Sequence, residues 1–149
     1  MYAALLAATM VLAAPDRPNP KPVEAPKTIQ DQILGEWQFD KVEIGGGGVV
    51  DQPKGEARII HFQRSEMLAY VNGQLREQDG ASYKLDIKAN PVAIDLYPKT
   101  GQDTPMRGIL KMEGDLLVIC FSIRGERPTQ FATNATDLTA LMYLKRVKR

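Results

Sequence analysis

From Thr28 onward the chain is a succession of short apolar or alternating runs, broken by Gly, Pro, Asn and Asp every 10 to 15 residues. No run is long enough, or has the three-to-four-residue spacing, to form a substantial helix. A strand buries one face by alternating apolar and polar residues, so this pattern constrains the chain to an all-β fold. Eight strands are predicted. They run from about Leu34 to Ile44, Ala57 to Gln63, Met67 to Val71 with an extension over Gln74 to Glu77, Ala81 to Lys88, Val92 to Tyr97, Met106 to Met112, Leu116 to Ser122, and Leu138 to Arg146. Asn72-Gly73 is the strongest hairpin signal, because both positions tolerate the positive φ of a tight turn. Gly45 to Gly48 reads as a loop, since glycines lose the most backbone freedom on ordering. It lacks the Lys-Ser or Lys-Thr and the following helix of a phosphate-binding loop. Helical turns are expected only at Thr28 to Ile33, where Thr28 and Asp31 suggest a cap, and within Glu126 to Asp137.

Eight antiparallel strands with short connections remove their exposed edges by closing on themselves. The expected fold is an antiparallel up-and-down β-barrel, with a β-sandwich as the alternative. The 149 residues, 44% apolar and 25% charged, suffice for one core without metal or disulfide. With a single cysteine, Cys120, no intrachain disulfide is possible.

The first 28 residues differ in kind. Met1 to Ala14 holds 13 apolar residues in 14, too few for a membrane-spanning helix and suited to a signal peptide, with cleavage expected after Ala13. A buried N-terminal helix is the other reading. Residues 14–28, with five of the ten prolines, read as an extended linker before a domain at 29–149. The expectation is an exported, periplasmic or extracellular protein. Its 19 Lys+Arg against 18 Asp+Glu leave a net charge of +1, which argues against a nucleic-acid partner. Lys145, Arg146, Lys148 and Arg149 make a basic end whose plain reading is a solvated tail.

Several segments together resemble a known domain type. They are Gly35-Glu36-Trp37, Gly80 to Asp86, Pro91 to Pro98, Gly108-Ile109, Gly114-Asp115-Leu116 with Ile119-Cys120-Phe121, Arg127-Pro128-Thr129 with Phe131, and Leu144-Lys145-Arg146. In this order they resemble an uncharacterised lipocalin-like domain family abundant in planctomycete bacteria, over about Ile29 to Arg146. Leu110 departs from the family's usual Tyr. The resemblance implies a lipocalin-like barrel and an exported bacterial protein, without supplying a substrate. It also implies barrel closure by Gly35 and Trp37, with Arg146 of the last strand stacked on the indole. The loop that carries Arg127 is itself expected to cover one barrel end, with Phe131 plugging the core.

Catalytic groups are sparse. Cys120 and His61 lack a third partner, no Gly-x-Ser-x-Gly occurs, and Ser65, Ser82 and Ser122 have only His61 as a base. Asp86 and Asp95 fall in adjacent strands, where a carboxylate pair can serve acid–base chemistry; their alternation with apolar residues instead points them at solvent or at a lysine. No metal-ligand spacing is present. The expected protein is therefore non-enzymatic, monomeric and without cofactor, holding a small apolar molecule or a peptide in its lumen. The lumen wall is assigned to Tyr70, Tyr83, Ile94, Leu117, Ile119, Phe121 and Met142. Arg127 either plugs one barrel end by binding carbonyls or clamps an anion at the mouth. The alternatives are a packed barrel contacting other envelope proteins and, third, an enzyme.

Overall fold

The computed structural model describes residues 27–45, 47–101, 104–123, 125–136 and 138–148. The expected signal peptide at 1–13 and most of the linker at 14–28 lie outside the described residues, as do Arg124 and Arg149.

The chain enters through one helical turn, α1 (Ile29–Ile33). Thr28 Oγ1 accepts from the Asp31 amide at 3.2 Å and the Asp31 carboxylate accepts from the Thr28 amide at 3.4 Å, a reciprocal cap of the free helix donors. Gly35, at φ +111°, then turns the chain into the barrel with a backbone conformation that side-chain-bearing residues rarely adopt.

Ten strands follow: β1 (Gly35–Ile44), β2 (Gly48–Asp51), β3 (Arg58–Phe62), β4 (Glu66–Val71), β5 (Gln74–Leu75), β6 (Ala81–Asp86), β7 (Val92–Pro98), β8 (Met106–Glu113), β9 (Leu116–Ser122) and β10 (Thr139–Arg146). Eight form a closed antiparallel barrel in the order β1-β3-β4-β6-β7-β8-β9-β10, with β10 returning to β1. That closing seam runs from Trp37 opposite Arg146 to Ile44 opposite Ala140, and one closed sheet excludes the sandwich. A bulge between Phe39 and Lys41 adds one residue to β1. It moves the inward row from Trp37 and Phe39 to Val42 on the core side.

β2 and β5 are additions to the barrel. Gly48, expected in a loop, opens β2 because the hairpin pairs it with Ile44, and Val49 and Val50 continue the ladder on β1. β5 folds back on β4 through Asn72-Gly73, whose φ values of +51° and +80° are those of the predicted tight turn. No helix forms among the described residues of 126–137. Among those described throughout, no helix is long and apolar enough to cross a membrane.

The interior is filled by inward rows that include Ile33, Trp37, Phe62, Ile94, Leu117, Ile119 and Leu144, all within 1% of fully buried. A second, smaller cluster, Ile109, Val118, Cys120 and Leu141, lies on the opposite face of β8, β9 and β10, outside the barrel. The segment 125–136 covers it. Phe131 packs there rather than in the barrel end, with Lys111 Nζ 4.4 Å from its ring centre.

Candidate functional site

The strand directions give the barrel two unlike ends. At the Trp37 end, the indole is fully buried and its Nε1 donates to the Ile33 carbonyl at 2.7 Å. The Arg146 guanidinium lies 4.2 Å over the ring and donates to the carbonyls of Gln32 and Leu34. Cation stacking and satisfied carbonyls thus close this end together. Gly35 belongs to the same closure, since a Cβ there would sit 3.8 Å from Arg146 Nη1.

The opposite end is open. A cavity of about 580 Å³ descends from the mouth, within the size range of small-molecule sites. Its apolar wall comes from the mouth ends of the inward rows: Phe39, Ile60, Met67, Ala69, Leu96, Met106, Phe121 and Met142. Below it, Ile94, Leu117, Ile119 and Tyr83 form a solid floor, with Tyr83 edge-on to Phe62 at 5.5 Å and its hydroxyl donating to the Gln63 carbonyl. Half of the lumen is therefore packed and half is a cup.

One flank of the cup is polar. The β4–β6 seam has only two residue pairs, Glu66 with Ser82 and Met67 with Ala81. Beyond it β4 pairs with β5, and a 3-10 turn (Glu77–Asp79) fills the gap, so that Arg76, Gln78 and Asp79 line the cavity beside Glu56 and Arg58.

Of the residues assigned to the lumen wall from sequence, Phe121, Met142 and Tyr70 line the cup; Tyr83, Ile94, Leu117 and Ile119 lie in its floor. Tyr70 belongs to the outer set of β4, opposite Ile59, and borders a shallow outer depression with Glu36 and Gly73 as well as the cup's edge. The lining residues not foreseen from sequence include Met106, at the end of its strand far from Trp37; Phe39, one inward step from Trp37 on β1; and Arg58 and Arg76, at the start of β3 and in the β4–β6 connection. Distance along the inward row from the Trp37 closure would have found Met106.

Arg127 lies at neither barrel end. Its Nη1 donates to the carbonyls of Ile94 at 3.1 Å and Gly108 at 2.8 Å, and its Nη2 pairs with Asp95 Oδ1 at 2.7 Å. Ile94 faces the core, so its neighbour Asp95 and the guanidinium are on the outer wall, at one side of a surface hollow of about 500 Å³. Arg127 does bind carbonyls as expected, but it fastens a strap across the outside of the sheet. Asp95 pairs with this arginine instead of a lysine, while Asp86 accepts from the Lys88 amide at 3.1 Å in its own turn. Cys120 lies under the strap, its thiol 3.5 Å from the Gln130 carbonyl and 3.6 Å from that of Ala132. His61 sits on β3, separated from β9 by β10 and β1, so the structure does not bring it to Cys120. Among the described residues, no group of three or more His, Cys, Asp or Glu is placed to hold a metal ion.

Burial pushes the Cys120 thiol up from its ordinary value, with the Ala132 contact opposing in part. The folded state therefore holds this proton more tightly, and the unfolded thiol ionises first as pH rises. That contribution to stability is intact below the unfolded pKa and lost above it. Buried Tyr83 is shifted in the same direction. Stability measured by urea unfolding is expected to fall as pH rises above 9.0 for the thiol and above 10.0 for the phenol, and the loss that sets in first should be smaller in Cys120→Ala.

No known protein family, curated protein or solved structure matches the chain.

Proposed function

We propose that the chain is an exported, non-enzymatic, lipocalin-like binding protein that holds a small apolar molecule in the cup. The observation that carries the reading is the cup itself: about 580 Å³ of space left open above a floor of buried inward residues. An apolar cavity open to water is costly unless something fills it, and burying apolar ligand surface there returns roughly 25 cal/mol per Å². Met67, Met106 and Met142 contribute unbranched, polarizable thioethers, which adapt to ligands of varied shape. Export rests on the apolar run Met1 to Ala14 and the proline-rich stretch after it.

The test is ligand uptake measured by calorimetry and native mass spectrometry, for the wild type and for Ala69→Phe. Ala69 faces the cup and packs across from Ile60, so a phenyl group there occupies ligand space rather than core. Binding is expected to weaken at least about tenfold, a loss of roughly 1.4 kcal/mol, with the melting temperature unchanged. A wild-type domain that takes up nothing from lipid and metabolite extracts would favour the packed barrel acting through its surface. The solid lower half of the lumen is the feature that supports that second reading.

A further inference from the structure

The cup's polar groups are concentrated on one side. Glu56, Arg58, Arg76, Gln78 and Asp79 line the flank beside β3 and β4, whereas Met106, Phe121 and Met142 line the wall opposite. A ligand with one polar end therefore has one place to put it. Glu56 and Arg58 already satisfy each other, Arg58 Nε lying 2.8 Å from Glu56 Oε1. Arg76 and Asp79 do not. Among the described residues, neither the Arg76 guanidinium nor the Asp79 carboxylate has an ion-pair or hydrogen-bond partner, although both border the cavity.

The two charges are set on one small, well-fastened turn. The Arg76 amide donates to the Ala69 carbonyl at 2.8 Å, the Asp79 amide to the Arg76 carbonyl at 3.0 Å, and Thr100 Oγ1 to the Gln78 carbonyl at 2.9 Å. Arg76 caps the turn and Asp79 ends it, and both border the cup. They nonetheless form no ion pair with each other. A cation and an anion at the two ends of one turn at the cup's mouth, each unpartnered, complement a head group carrying both signs. A simple carboxylate would gain Arg76 and face Asp79; an alkylammonium would gain Asp79 and face Arg76.

We propose that the mouth selects a single-chain amphiphile with a zwitterionic head group, its chain in the apolar cup and its two charges against Arg76 and Asp79. The assignment rests on the cup being the ligand site. Because the turn is held by backbone bonds, its charges are positioned before the ligand arrives, which limits the ordering cost of binding.

The experiment is calorimetry with four probes of equal chain length, each below its micelle concentration: dodecylphosphocholine, dodecanoate, dodecyltrimethylammonium and neutral dodecanol. The zwitterion is expected to bind tightest, with each charge worth about two- to fivefold. Arg76→Gln should weaken the zwitterion and the carboxylate but not the cation. Asp79→Asn should weaken the zwitterion and the cation and strengthen the carboxylate. Both residues are exposed, so both variants are expected to fold normally. Equal or tighter binding of dodecanol or of either singly charged probe overturns the head-group assignment and leaves the cup reading standing. Failure of all four probes to bind overturns both.

Discussion

Trp37→Ala is expected to destabilise the domain by about 3–5 kcal/mol, the largest effect of any single substitution considered, lowering the melting temperature by on the order of 10–20 °C. Three interactions end with the indole. Its fully buried surface leaves a cavity at the closed end of the barrel. The Ile33 carbonyl loses the donor that lies 2.7 Å away, just where the single turn of α1 stops. The Arg146 guanidinium loses the ring 4.2 Å beneath it, a contact worth roughly 1–2 kcal/mol when partly desolvated. Trp37→Phe separates these, since it keeps most of the apolar volume and removes the Nε1 donor; a loss near half that of the alanine variant is expected. A double-mutant cycle of Trp37→Phe with Arg146→Ala, read by urea unfolding, should show clear non-additivity, as contacting residues do. Additive losses would mean that the cation and the ring are only neighbours.

The closed end also shows how far the sequence could be read. Gly35, Trp37 and Arg146 were legible through the resemblance of Gly35-Glu36-Trp37 and Leu144-Lys145-Arg146 to lipocalin-like barrels, which implies a Trp at one end covered by a basic residue of the last strand. The alternation of β6 and β7 was legible for a simpler reason: period two is a property of the strand backbone itself. The open end was not, because a row of inward residues looks the same from either end until the packing of the whole barrel is known. Met106 and Phe121 differ from Leu110 and Ile119 only in lying farther from Trp37. The charged turn at Arg76 to Asp79 was hidden more deeply. It reaches the cup only because β4 and β6 share two residue pairs and leave a gap for it, and seam length depends on three-dimensional register. The strap did leave a trace. Leu116 to Phe121 is apolar at every position, so a strand there buries both faces. One face belongs to the lumen; the other, Val118 and Cys120, requires a cover, which the segment around Phe131 supplies.

That cover depends on Arg127, and Arg127→Ala is expected to cost about 1.5–3 kcal/mol while leaving ligand binding in the cup unchanged. The guanidinium holds two main-chain carbonyls, those of Ile94 and Gly108, and one carboxylate, that of Asp95, from three sides. Hydrogen bonds from a charged donor are stronger than neutral ones. Arg127 and Asp95 remain about one-third exposed, so water recovers part of the loss and keeps it well short of that of a buried ion pair. Arg127→Lys is expected to restore less than half, because an ammonium cannot reproduce the planar fork that spans the three acceptors. The consequence reaches Cys120. Its thiol is fully buried beneath the carbonyls of Gln130 and Ala132, so reagents reach it only when the strap lifts. Freed of its Arg127 anchor, the strap should open locally at a lower free energy than the barrel unfolds. Thiol labelling of Arg127→Ala under native conditions should therefore accelerate far more than the change in global stability accounts for. Cup binding, measured on the same sample, should not move, since the strap crosses the outer wall of β8, β9 and β10. Lost binding with unchanged stability and unchanged labelling would reverse this assignment, making the outer-wall hollow beside Asp95 the ligand site and Arg127 its clamp.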